Sequence, residues 1–372
     1  MSTQPSVPAI AGQNVIADVS MQTPRTTVHW MAPLTPRSPQ LNLGTLLPQG
    51  DSDEEGRGQI LQEYLAFPTN TYDAVVAQGM NFVPKTHHDT YPFIDPTKQN
   101  LAGKAIFITG ASKGIGRQTA LSFAKAGASH IALGARSSLT SLESELVAAA
   151  KEAGHSAPQV LSIVLDVTEP SSCTAAAEKL TQTFGRLDIL VNNAGYLEEF
   201  VPMADQDPME WCRTIDINLK GPYLVTRAFL PLLLSSPAPS NGGEALKTIL
   251  NVSSIGAHKL MPGASAYQTT KLALLRFSEF VNAEYAEKGV LCYSIHPGGV
   301  MTELAKAMPK SAHGLLVDTP ALAADSVVWL TAERREWLAG RYVSVTWDME
   351  ELVKKRDEIE AKDLLKVRML VA

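Results

Sequence analysis

Between Gly103 and Ala126 the chain reads Lys104-Ala-Ile-Phe-Ile-Thr109, then Gly110-Ala-Ser-Lys-Gly-Ile-Gly116, then a stretch of helical composition. The short apolar run is of strand type. Strand, glycine-rich turn and helix in that order make a dinucleotide cradle. Glycines let the backbone approach a pyrophosphate, and the helix N-terminus offers unpaired N–H groups at the positive end of its dipole. Gly110, Ser112, Lys113, Gly114, Ile115 and Gly116 are therefore the expected phosphate contacts. The spacing G-x-x-x-G-x-G departs from the commoner G-x-G-x-x-G, so the assignment depends on a βαβ pattern following it.

That pattern follows. His130-Ile-Ala-Leu-Gly-Ala-Arg136 reads as a second strand, ending where such a site meets the adenosine ribose. An acid there would bind a free 2′-hydroxyl. Instead Ala135 precedes Arg136 and Ser137, and Lys113 sits in the glycine turn. Two cations and no acid suit a 2′-phosphate, so NADP(H) is favoured over NAD; the competing reading makes Arg136 a solvated charge at a strand end. Gln159 to Leu165 is a third strand, ending in Asp166 and Val167 beside the adenine. Asp188-Ile-Leu-Val-Asn-Asn-Ala-Gly195 is a fourth, whose turn (Asn193, Ala194, Gly195) would pass beneath the cofactor. Helical stretches Thr140–Ala153 and Ser171–Phe184 separate the strands. The fold expected is α/β, a Rossmann-type doubly wound parallel sheet with helices on both faces.

The chemistry points to Ser253–Lys271. Tyr267 and Lys271 lie four apart at the start of a helical run, hence on one face. A phenol titrates near ~10, and a neighbouring ammonium would lower that toward neutrality. Ser254 lies thirteen positions before the tyrosine, at the end of the apolar run Thr248–Val252. Open α/β sheets place reacting groups at such strand ends. Alone, Y-x-x-x-K usually marks an exposed helix pair.

Taken together, Thr109-Gly110-x-x-x-Gly114-x-Gly116, Asn192-Asn193-Ala194-Gly195, Asn218, Ser254, Tyr267-x-x-x-Lys271 and Pro297-Gly298 resemble the short-chain dehydrogenase/reductases, in that order along about Leu101 to Trp347. The resemblance implies that Tyr267 is the general acid toward a carbonyl or the base toward an alcohol. Ser254 would polarise the substrate oxygen, although Ser253 competes for that role. Lys271 would lower the Tyr267 pKa and bond the nicotinamide ribose. Asn218 would anchor a water linking Lys271 to solvent, unless it merely caps or kinks its helix. Pro297, Gly298, Val300 and Thr302 would close over the nicotinamide, and the stretch to Asp318 would form a substrate lid. The family's usual interfaces imply a homodimer or homotetramer through the Asp207–Leu234 and Tyr267–Glu287 helices. Leu224, Leu274, Phe277 and Val281 are the apolar residues there.

Three segments depart from the pattern. Residues 1–100 hold eleven of the 23 prolines and the acidic run Asp51–Glu55, and read as a partly disordered N-terminal arm with short amphipathic pieces at Gln59–Phe67 and Asp73–Met80. Residues 101–347 form the catalytic domain. Residues 348–372 alternate acids and bases and read as a mostly solvated helical tail. That tail, with Tyr91–Thr97, resembles a subgroup found in filamentous fungi. The loop Ser235–Lys247 is also longer than usual.

Composition excludes other classes. A net charge of −6 without a basic block disfavours a nucleic-acid surface, and the apolar run Ala228–Leu234 is far short of a membrane span. Three widely spaced cysteines (Cys173, Cys212, Cys292) are expected as reduced thiols, neither disulfides nor metal ligands. A cytoplasmic location follows, with a transit segment the alternative, since residues 1–48 carry Arg25 and Arg37 against Asp18. Two functions from different classes fit: an NADP-dependent oxidoreductase acting on a ketone or secondary alcohol, and a cofactor-binding scaffold without hydride transfer. Leu260, Met261, Leu304 and Leu315 suggest a fairly hydrophobic substrate.

Overall fold

A computed structural model describes residues 82–238 and 245–369. The pieces expected at Gln59–Phe67 and Asp73–Met80, and the rest of the arm before Phe82, lie outside the described residues.

Seven parallel strands form one sheet in the order β3-β2-β1-β4-β5-β6-β7. They are β1 (Ala105–Thr109), β2 (His130–Ala135), β3 (Gln159–Val164), β4 (Ile189–Asn192), β5 (Thr248–Val252), β6 (Leu291–His296) and β7 (Tyr342–Ser344). Every residue of β1, β4 and β5 is buried, as strands covered on both faces require. Side-chain alternation sorts β1 between two cores. Ile106 and Ile108 pack with α1 (Gly114–Lys125), α2 (Thr140–Glu152) and the later helix α7 (Pro320–Ala332). Phe107 faces the other way, against α3 (Pro170–Phe184) and α5 (Gly221–Ser235), where its ring stacks on Phe229 at 4.4 Å between centroids. Between these lies α4 (Pro208–Ile215), which runs through a π-helical turn, Asp216–Lys220, into α5. The 21-residue helix α6 (Ser265–Tyr285) follows β5.

Both terminal boundaries need correction. The described part of the N-terminal segment belongs to the catalytic unit: Val83 and Ile94 are fully buried in its core. Thr86 bridges Trp347, and backbone bonds join His87 to Thr346 (2.7 Å), Asp348 to Lys85 (2.9 Å) and Thr319 to His88 (2.8 Å). The prolines there space out apolar residues that dock one by one, so overall proline density misrepresented the segment. The tail is likewise not a mostly solvated helix. It forms α8 (Met349–Lys354) and α9 (Arg356–Ala361), and Met349, Leu352 and Ile359 are fully buried while its charged residues pair on the outside. Alternating charge concealed a narrow apolar stripe. Asp348 caps α8 by accepting from Glu351 N (2.9 Å) and holds Lys85 and His87, each at 2.8 Å.

Among the described residues no helix is long and apolar enough to cross a membrane.

Candidate active site

Because the strands are all parallel, their carboxyl ends share one edge, where open sheets bind ligands. A cavity of about 840 Å³ runs along it. At one end lie the Gly110–Ile115 turn, Arg136 and Ser137 after β2, and Asp166 and Val167 after β3. Asn193, Ala194 and Gly195 form the floor beyond β4. Ser254, Tyr267 and Lys271 stand at the other end, beneath Pro297, Gly298, Val300 and Thr302. Two of the expected cofactor-binding and catalytic residues do not line the cavity. Gly116 lets α1 approach the β4 turn, since a Cβ there would come within 2.4 Å of Asn193 Nδ2. Asn218 is fully buried behind the floor.

The glycine turn is shaped for an anion. Gly110 adopts φ +67°, and a Cβ on it would sit 2.8 Å from Ala194 Cα. Thr109 Oγ1 accepts from the backbone N–H groups of Asn193 and Ala194, both at 3.0 Å, and so ties the ends of β1 and β4 together. Helix α1 begins at Lys113 without a side-chain cap and without an acid in its first turn. Its leading N–H groups are thus left for a ligand, and phosphate is the group that fits them. Residues lining the cavity therefore suit a dinucleotide: N–H donors for the pyrophosphate and, at the exposed Arg136, a cation for the ribose end. Asp166 is occupied locally. Its carboxyl accepts from Thr168 N (3.0 Å) and Thr168 Oγ1 (2.8 Å), and these bonds outweigh partial burial to hold its pKa low, with Arg136 helping.

At the reacting end, the side chains of Ser254 and Tyr267 meet in the cavity, close enough for the serine hydroxyl to favour the phenolate. Ser254 also accepts from Gly256 N at 3.0 Å, which fixes its rotamer. Ser253 faces away, 1% exposed, donating to Lys271 O at 2.9 Å. Geometry thus separates the two serines, and Ser254 is the one beside the phenol. The Lys271 ammonium donates to Val252 O (2.8 Å) and lies 5.4 Å from the Tyr267 ring centroid. The expected lowering of the Tyr267 pKa is not seen. Burial pushes the phenol up to about 12, which the nearby Ser254 hydroxyl opposes and the charge of Glu198 reinforces. Burial lowers Lys271 to about 8. Tyr267 is consequently a neutral phenol at pH 7, in the protonation state of a donor.

Asn218 sits in the π-helical turn. Its Oδ1 accepts from Tyr196 N and its Nδ2 donates to Tyr196 O, both at 2.8 Å. Such turns break the helical ladder locally and recur at functional sites. The amide is thus committed to the backbone that leads away from Gly195.

Of the substrate-wall residues expected, Met261, Leu304 and Leu315 line the cavity, with Tyr196, Leu197 and Phe200. Leu260 does not; it is 94% exposed. Thr86, His88 and Asp318 are wall residues that the motifs did not reveal. His88 Nδ1 lies 2.6 Å from Asp318 Oδ1, while Asp318 Oδ2 accepts from Gly299 N, also at 2.6 Å. Only the Val300–Asp318 bridge could have exposed them, and no periodicity in the sequence encodes that.

Residues 104–312 match the family described as short chain dehydrogenase. The chain is 53% identical over 307 residues to the short chain dehydrogenase mpl6 of Monascus purpureus, covering 82% of this chain and all of the relative. Among solved structures, a short chain dehydrogenase from Shigella flexneri complexed with NADP is 30% identical (TM-score 0.57, 67% of this chain, 99% of that one). A 3-ketoacyl-(acyl-carrier-protein) reductase from Brucella melitensis complexed with NADH is 26% identical at the same TM-score, covering 66% of this chain and 98% of that one.

Proposed function

Since the chain belongs to the short-chain dehydrogenase/reductase family, we propose that it is an NADP(H)-dependent oxidoreductase acting on a ketone or secondary alcohol of fairly hydrophobic character. The observation that carries this reading is one cavity that holds Ser254, Tyr267 and Lys271 at one end and the glycine turn and Arg136 at the other. Held along the glycine turn and Arg136, NADPH would supply the hydride for the carbonyl carbon. Tyr267 gives its phenolic proton to the carbonyl oxygen, so the product is a neutral alcohol, and the phenolate is reprotonated from solvent. Ser254 holds that oxygen against the phenol. Lys271, cationic at pH 7 and one helical turn away, stabilises the transient phenolate. Leu197, Phe200, Met261 and Leu304 give the substrate wall its apolar character. Screening carbonyl compounds for NADPH oxidation tests the activity; its absence across aliphatic, aromatic and polycyclic ketones would favour a scaffold role.

The preference for NADP(H) rests on Lys113 and Arg136, with Ala135 where an acid would serve NAD. Arg136→Ala should weaken NADPH binding by about 1–3 kcal/mol and leave NADH binding nearly unchanged, as read by calorimetry. Tighter wild-type binding of NADH than of NADPH would overturn the assignment.

A homodimer or homotetramer through α5 and α6 is the expected assembly. Leu274 and Val281, counted toward it from sequence, are instead core residues at 1% and 5% exposure. Tyr223, Leu272 and Phe280 are the large apolar side chains those helices expose. Light scattering at micromolar concentration should give at least twice the chain mass, and a monomer would refute the assembly.

A further inference from the structure

Glu198 lies between β4 and α4 and is 1% exposed. Asp188 and Asp348, the other acids at 2% exposure or less among the described residues, have cationic partners: Asp188 meets Arg186, and Asp348 meets Lys85. Glu198 has no ion pair among the described residues. Its Oε1 accepts from the backbone N–H of Tyr267 at 2.9 Å and its Oε2 from Thr214 Oγ1 at 3.1 Å. Taking a carboxylate out of water without a cation is costly unless strong hydrogen bonds and a favourable field replace the lost solvation. The N-terminus of α6 supplies both.

That helix needs an outside group. Its N-cap position is Ala264, which has no side-chain acceptor, and its first turn contains no acid. Tyr267 is the third residue of the helix, where an N-cap side chain would normally accept an N–H. Glu198 fills the role from another segment. Its own backbone is steadied nearby, because Asn218 clamps Tyr196 with two 2.8 Å hydrogen bonds. A continuous set of contacts thus runs from the π-helical turn through Tyr196 and Glu198 to the backbone of Tyr267.

We propose that Glu198 is a positioning residue for catalysis: it caps α6 at Tyr267 and so fixes the phenol against Ser254. The proposal rests on the reading of Tyr267 as proton donor. Its carboxylate also acts on that proton. The groups about the phenol are Ser254 from the end of β5, Lys271 from α6 and Glu198, with Lys259 and His296 farther along the cavity wall; burial holds His296 neutral, at about 3. The negative charge of Glu198 adds to burial in keeping the phenol protonated.

Glu198→Gln and Glu198→Ala test this, with Tyr267→Phe as reference. A neutral amide is a weaker acceptor than a carboxylate, and alanine is none, so effects should be graded. Deuterium exchange at the start of α6 should quicken roughly fivefold in the glutamine variant and more in the alanine variant. In the same order kcat should fall, by about 10- to 100-fold for alanine, because small misplacement of a reacting group is costly, while KM and NADPH affinity stay within about threefold. The alkaline limb of the kcat profile should move to lower pH in both, since loss of a negative charge makes the phenol more acidic. Wild-type exchange and wild-type kcat in the glutamine variant would overturn the proposal, even should the alanine variant not fold. Retained turnover in Tyr267→Phe, with quickened exchange in the Glu198 variants, would sink the donor reading and leave the cap standing.

Discussion

Tyr267→Phe is expected to lose turnover by about 10²–10⁴-fold while binding NADPH as the wild type does. The substitution removes one oxygen and leaves the ring in place, so the helix and the cofactor end of the cavity are undisturbed. Lost with that oxygen is the phenolic proton beside Ser254 at the reacting end of the cavity. Ser254→Ala should cost less, because the phenol would still reach the substrate oxygen. The direction of the pKa shift gives the same reasoning a pH sign. A donor pushed up to about 12 is protonated throughout the neutral range, so the proton for carbonyl reduction is present there; turnover should weaken as rising pH takes the charge from Lys271, at about 8, and fail as it removes the phenolic proton.

A chain begun at Tyr91 is expected to be much less stable than the full chain. The shorter chain lacks Val83, whose complete burial contributes about 1.5–3 kcal/mol. It also lacks Lys85 and His87, the cationic and imidazole partners of Asp348, which is 2% exposed in the full chain. Loss of hydrogen bonds to a charged group costs about 1.5–3 kcal/mol. Together these reach the lower end of an ordinary domain's stability, roughly 5–15 kcal/mol. Thr86 and His88 leave the cavity wall in the same cut, so any residual fold would have an altered substrate site. Thermal unfolding decides the matter: a midpoint for the Tyr91 chain within a few degrees of the full chain would show that Phe82–Thr90 merely decorates the domain.

How legible each part was depended on how local its cause is. Glycine turn, strand runs and the four-residue Tyr–Lys spacing are set by backbone geometry within one or two elements, and the sheet order follows from parallel βαβ connections. Gly110 and Gly114 announce themselves because the chain needs positive φ there. The segment from Phe82 to Asn100 was misjudged because its burial depends on contacts with residues 318–349, more than 200 positions away. Glu198 was invisible for a related reason: nothing near Ala264 in sequence says that the missing cap comes from the β4–α4 segment. The Tyr267 pKa went astray because sequence spacing brings Lys271 near but does not say where its ammonium is spent, here on Val252 O. Burial then decides the sign.

The central claim is that this site transfers a hydride, with Tyr267 supplying the proton. Incubation with NADPH deuterated at the transferring position of the nicotinamide, using the best ketone from the carbonyl screen, tests it directly by mass spectrometry of the product. The account predicts an alcohol carrying one deuterium on its carbinol carbon, formed in step with NADPH oxidation by the wild type and about 10²–10⁴-fold more slowly by Tyr267→Phe. A wild type that binds NADPH tightly yet delivers no deuterium to any ketone offered, or a phenylalanine variant that delivers it at the wild-type rate, would contradict it.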